Sequence, residues 1–281
     1  MFFMLLKISR PLSCLFCLTL SLSACARPDG RNIALEAQTH YNFKALTFNT
    51  STFTLLGLLR PAKATEQVGA STRTLHVYIE GDGLAWLSRT RPSDDPTPTN
   101  PVALTLARSD HSPDPVLYLA RPCQYVEDDE RRMCSQKYWT SARFAPKVVQ
   151  SLDEAISEAM TLTKASKVAL IGFSGGGGLA ALLAARRHDV TFLGTVAGNL
   201  DHASWTKMHN VSPLSNSLNP IDVAKQVKNL PQRHLSSPGD SIVPPQISQE
   251  FCQAIEKPEA CEQTPDMAHN GPWEKVWRFD Y

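Results

Sequence analysis

The sequence predicts an α/β fold in which a mostly parallel central sheet carries helices on both faces. Three observations predict it. Short, mostly apolar runs at 75–79, 116–120, 168–171 and 190–197 have the pattern of strands buried on both sides. Between them lie stretches with a 3.6-residue period, 142–164 being the longest, and strands alternating with helices imply parallel neighbours joined by crossovers. The third is a junction: the apolar segment Val168 to Phe173 passes through Ser174 straight into the small-residue helical segment that begins Gly175-Gly176-Gly177-Gly178-Leu179-Ala180.

In chain order, residues 26–50 are mixed and poorly periodic and are expected to tether the domain, which gives a division into 1–24, 25–50 and a single domain at 51–281. Phe53 to Leu59 reads as a strand stopped by Arg60-Pro61, and 62–72 as a polar loop or hairpin. The strand at 75–79 runs directly into Glu80-Gly81-Asp82-Gly83. Residues 88–100, rich in Pro, Asp and Thr, read as a loop. Asn100 is the expected N-cap of a helix at 101–108. A strand at 116–120 precedes a charged insertion, 121–138, that holds two cysteines. Helices are expected at 142–164, 221–228 and 245–255, short strands at 233–236 and 259–263, and a terminal helix from Trp273; 200–219 is a candidate small cap.

The N-terminus reads as an export signal. Lys7 and Arg10 precede an apolar region, Leu12 to Leu22, too short to span a bilayer. It ends in Leu22-Ser23-Ala24-Cys25, which resembles the bacterial lipobox. That resemblance implies cleavage before Cys25 and its lipidation, so that the protein is anchored rather than spanning. Ala26, where retained lipoproteins have Asp, implies the outer membrane, facing the periplasm. An ordinary signal peptide cut near Ala24 or Ala26 is the alternative. Loss of 1–24 takes Lys7 and Arg10 from the 28 basic residues and leaves 26 against 27 acidic ones, with no basic stripe for nucleic acid. Of seven cysteines, Cys14 and Cys17 leave with the signal, and Cys123, Cys134, Cys252 and Cys261 remain beside Cys25. An even number in an exported chain reads as disulfides. Three pairings are possible; Cys123–Cys134 with Cys252–Cys261 closes the shortest loops. None of the spacings among these four is Cys-x-x-Cys, and no His-Glu-x-x-His is present, so no metal is expected.

The chemistry centres on Gly172-Phe173-Ser174-Gly175-Gly176. A bare Gly-x-Ser-x-Gly arises by chance in roughly one chain in ten of this length, so the strand before it and the helix after it carry the signal. A plain structural reading is a glycine-rich turn that packs or binds phosphate. A serine nucleophile needs a base, and the base an orienting acid. Downstream, Ser236-Ser237-Pro238-Gly239-Asp240-Ser241-Ile242-Val243-Pro244 resembles the acid loop of the α/β-hydrolase family, and Met267-Ala268-His269-Asn270-Gly271 resembles its base loop. With Ser174 in the nucleophile elbow, the chain resembles that family from about Phe53 to Tyr281. The resemblance implies the α/β-hydrolase fold and a Ser174–His269–Asp240 triad. Asp201 is the runner-up acid and His202 the fallback base.

The resemblance also implies an oxyanion hole built from the Gly175 N–H and an N–H of the loop after the first central strand, Asp82 or Gly83. There the family often has His-Gly; here Glu80 replaces the His. An Asp82 carboxylate facing an oxyanion would be unfavourable, so it is expected to turn away or to pair, with Arg121 as the candidate partner. Trp86, Trp139, Trp205 and Trp273 are candidates to line an acyl pocket, with core packing the plainer role for each. The expected activity is hydrolysis of an acyl bond, by default a carboxylic ester, in a small-molecule or lipid-like substrate and without a cofactor. The alternatives are a peptidase or amidase of the same fold, or a non-catalytic envelope binding module.

Overall fold

The computed structural model describes residues 29–63, 73–126 and 133–279. The export signal and Cys25 lie outside them. Among the described residues no helix is long and apolar enough to cross a membrane.

Eight strands form one sheet in the order β1-β2-β4-β3-β5-β6-β7-β8. They are β1 (Lys44–Asn49), β2 (Thr54–Arg60), β3 (Thr74–Ile79), β4 (Val116–Leu119), β5 (Lys167–Phe173), β6 (Val190–Val196), β7 (Gln232–Ser236) and β8 (Cys261–Gln263). β2 is antiparallel to both β1 and β4, and from β4 to β8 every pair is parallel. Alternation along the strands divides the core. Val168 and Leu170 of β5 face one side, with Leu75, Val77 and Ile79 of β3; Ala169, Ile171 and Tyr78 face the other. The first side is covered by α3 (Pro146–Thr163), α4 (Gly175–Arg186), α6 (Ala224–Val227) and α7 (Pro245–Ala254). The second is covered by α1 (Gly30–His40), α2 (Val102–Ser109) and the C-terminal segment with Trp273 and Trp277. Between β6 and α6 lies α5 (His202–Met208).

The tether expected at 25–50 is corrected: from Gly30 onward these residues belong to the domain. Asp29 caps α1, its carboxylate accepting the Arg31 N–H at 3.0 Å. β1 pairs with β2 along its whole length. The pattern was weak because α1 buries only Gly30, Ala34 and Ala37, and edge strand β1 fully buries only Phe48. Asn100 is not an N-cap; Pro101 stands at that position of α2, with no side-chain cap. The long helix starts at Pro146, not 142. A proline lacks the N–H an interior position needs and holds Ala145 in extended backbone (ψ 150°). The expected terminal helix is a single 3-10 turn, Trp273–Lys275, with both tryptophans drawn into the core. The stretch 221–228 divides into a 3-10 turn and the short α6.

Cys123 is joined to Cys134 and Cys252 to Cys261, with Cα separations of 5.6 and 6.1 Å. The first ties down the insertion after β4, and the second ties α7 to β8.

Candidate active site

Parallel α/β sheets place ligands at the carboxyl ends of their strands, and Ser174 sits at the end of β5. Its backbone is strained, with φ 52° and ψ −120° in a residue that has a side chain. The surroundings hold it there: the Ser174 N–H donates to the Val196 carbonyl at 2.9 Å, and its own carbonyl accepts from Gly177 and Asn199. Strand and helix meet so closely that only glycine fits. A Cβ on Gly172 would lie 2.1 Å from the Gly176 carbonyl oxygen, and one on Gly176 would lie 2.2 Å from that of Ile79.

Ser174 Oγ is 3.0 Å from His269 Nε2. His269 Nδ1 is 2.8 Å from Asp240 Oδ2. The other carboxylate oxygen of Asp240 accepts the N–H groups of Ile242 and Val243, each at 2.9 Å. The Asp240 side chain is thus fully buried yet hydrogen-bonded at both oxygens. The three residues come from loops 95 and 29 positions apart, and the fold brings them into one hydrogen-bonded chain. Phe173 packs on the imidazole with ring centres 4.9 Å apart. Ser237, which the sequence did not single out, joins the two loops: its hydroxyl accepts the Met267 N–H at 2.7 Å and donates to the carbonyls of Pro265 and Met267.

The reserve candidates stand elsewhere. Asp201 caps α5, accepting from Ala203 and Ser204 and from the Asn219 amide. His202 is buried beside a separate cavity of about 590 Å³ that none of Ser174, Asp240 and His269 lines; burial pulls its pKa down. Among the described residues no group of three His, Cys, Asp or Glu side chains is arranged to hold a metal ion.

The cleft over Ser174 has a volume of about 390 Å³ and is lined by the 80–86 loop, Arg143, Trp205, Ile242 and His269, among others. The Gly175 N–H heads α4 and has no intrahelical acceptor. In the facing loop the Gly81 N–H donates to Glu80 Oε1 at 2.8 Å, while those of Asp82 and Gly83 have no partner among the described residues. Asp82 is paired, as expected, with Arg121, and also with Arg143, which lies in the stretch 142–164 expected to be helical. Burial pushes the Asp82 pKa up, but the Arg143 and Arg121 charges outweigh it and hold the carboxyl below its ordinary value. Burial pushes the Glu80 pKa up to about 7, although the N–H dipoles of Gly81 and Ala103 pull the other way. Of the four tryptophans, Trp86 and Trp205 line the cleft, whereas Trp139 and Trp273 are core residues. Trp205 Nε1 donates to the Ile242 carbonyl at 2.6 Å, so that this residue of α5 flanks the cleft.

No family model and no curated protein matches the sequence. Solved structures do match. An α/β serine hydrolase homologue from Coxiella burnetii is 15% identical, aligned over 80% of this chain and 88% of that one, with a TM-score of 0.56. A member of the α/β serine hydrolases without a lid, from Xanthomonas campestris, is 15% identical over 81% and 86%, with a TM-score of 0.52. An acylaminoacyl peptidase from Pyrococcus horikoshii is 13% identical with a TM-score of 0.56; the match takes in 85% of this chain but 39% of that one. At these identities the likeness is one of fold.

Proposed function

We propose that this chain, which has the α/β-hydrolase fold, is a serine hydrolase that cleaves an acyl bond through an acyl-enzyme at Ser174. The observation that carries the reading is the 3.0 Å approach of His269 Nε2 to Ser174 Oγ, with Asp240 at 2.8 Å behind the imidazole. In that arrangement His269 takes the hydroxyl proton as Ser174 attacks the carbonyl carbon. Asp240 holds the tautomer that presents a free Nε2 and stabilises the imidazolium. The oxyanion is received by the Gly175 N–H and by one N–H of the 80–83 loop, where Asp82 or Gly83 is left because Gly81 serves Glu80. The imidazolium returns its proton to the leaving group, and water then releases the acid by the same steps.

A fluorophosphonate probe tests this directly. Labelling of the native protein and none of Ser174→Ala is the expected result; an unlabelled native protein sinks the reading and leaves the non-catalytic binding module. The substrate we infer is a carboxylic ester. The cleft is small, with Trp86, Trp205 and Ile242 in its lining, which suits a compact ester better than a polypeptide. Faster turnover of a p-nitroanilide than of the matching p-nitrophenyl ester would favour the peptidase or amidase reading instead.

For the N-terminal region we propose a lipid anchor on Cys25, at the outer membrane and facing the periplasm. Incorporation of labelled palmitate by the full chain, absent in Cys25→Ser, is the expected outcome.

A further inference from the structure

At the cleft, two guanidinium groups share one carboxylate. Arg121 and Arg143 are 3% and 5% exposed, and both donate to the single carboxylate of Asp82. Arg121 spends its other amino group on the Arg143 carbonyl at 2.7 Å, and Arg143 spends Nε on that of Thr140 at 2.8 Å. Nη2 of Arg143 has no partner among the described residues, and it is absent from the polar atoms sealed away from solvent without one. Arg143 itself lines the cleft, its guanidinium 5.9 Å from the Trp205 ring centre. The cluster abuts the nucleophile: a Cβ on Gly175 would lie 2.2 Å from Asp82 Oδ1 and 2.7 Å from Arg121 Nη1. The further carboxylate that acts on Arg121 is Glu80, already engaged with the Gly81 N–H and partly protonated near neutrality.

Two buried guanidinium groups that share one carboxylate leave a positive charge unbalanced, which is costly, and a planar guanidinium with a free amino group is suited to a carboxylate or phosphate. We propose that Arg143 is a specificity residue that receives an anionic group, carboxylate or phosphate, borne by the substrate, so that the preferred substrate is an anionic ester rather than a neutral one. This rests on the hydrolase reading of the same site and names its substrate class.

Binding to the Ser174→Ala protein tests the inference without requiring turnover. Two pairs of esters that differ only in charge serve as probes: mono-4-nitrophenyl glutarate against its methyl ester, and 2-acetoxyethyl phosphate against its dimethyl ester. The two arms distinguish a carboxylate on the acyl side from a phosphate on the alcohol side. Calorimetry is expected to show at least one anion bound tenfold or more tightly than its methylated partner. That ratio is expected to fall to about one with Arg143→Gln and to an intermediate value with Arg143→Lys. A ratio near one for both pairs in Ser174→Ala overturns the inference, as does a ratio undiminished in the Arg143 variants. If Arg143→Gln does not fold, Arg143→Lys decides. The hydrolase reading fails separately: charge-selective binding by Ser174→Ala, with no probe labelling of the native protein, leaves an anion site without catalysis.

Discussion

Asp240 shows how much the site demands of one side chain. Its two oxygens have different duties: one accepts from two backbone N–H groups of its own loop, and the other faces His269. Replacing it by Asn keeps the shape but presents an amide N–H where an acceptor is needed, which favours the wrong imidazole tautomer. Asp240→Asn is expected to lower kcat for a p-nitrophenyl ester on the order of 10³–10⁴-fold with little change in Tm. Glu80 illustrates the opposite case, a buried acid whose proton is held more firmly than in solution. Because burial raises its pKa from 4.5 to about 7, the folded protein holds that proton more firmly than the unfolded chain does. Its contribution to stability is therefore full below about pH 4.5, declines as pH rises to about 7, and is flat above. The span is about 3 kcal/mol at about 1.4 kcal/mol per pKa unit. Urea unfolding from pH 5 to pH 8 is expected to show this decline in the native protein and to lack it in Glu80→Gln. An equal decline in both would assign it to other groups.

At the scale of elements, the pieces that carry the chemistry are held by neighbours rather than by their own propensity. α7 and β8 are joined by Cys252–Cys261, separated by nine residues, and β8 is a three-residue edge strand. Closing a loop of that length restricts the unfolded chain by about 3 kcal/mol in the chain-entropy description. Cys252→Ser with Cys261→Ser is expected to lower the stability measured by urea unfolding by about 2–3 kcal/mol. The loss should fall mainly on the β7–β8 edge, where hydrogen exchange can locate it. The turn between β5 and α4 is fixed sterically instead. Gly176→Ala would drive a methyl group into the Ile79 carbonyl, and no flexible side chain is available to move aside. A drop in Tm of several degrees or failure to fold is expected, and an unchanged Tm would contradict the close approach.

For the whole molecule, the position of residues 30–49 matters most. α1 and β1 cover one face and one edge of the sheet, so a chain beginning at 51 would leave β2 as a long, unpaired apolar edge. Such a truncation is expected to aggregate, and a chain beginning at 29 to remain monodisperse by size-exclusion chromatography. Much of the rest was legible from the chain. The strands at 75–79, 116–120, 168–171 and 190–197 each lie within a residue or two of an observed strand, because strands buried on both faces leave unbroken apolar runs. α1, β1 and the end of the chain were not legible, since small buried residues and half-exposed edge strands produce little periodicity.

By itself the sequence determined the chain order of the strands from β2 to β8 and of the longer helices between them, the strained turn at Ser174, and the three residues, Ser174, Asp240 and His269, that later meet. Those features are local: apolar period, glycine where a Cβ cannot fit, and short loops with distinctive composition. Only the tertiary structure decided that Arg143 faces the cleft beside Asp82, that His202 lines a different cavity, and that Ser237 joins the acid and base loops. These depend on which side chains come together across separations of about 20 to 60 residues. No local pattern encodes that, because a polar residue on a helix or loop looks the same in sequence whether it meets solvent or a buried partner.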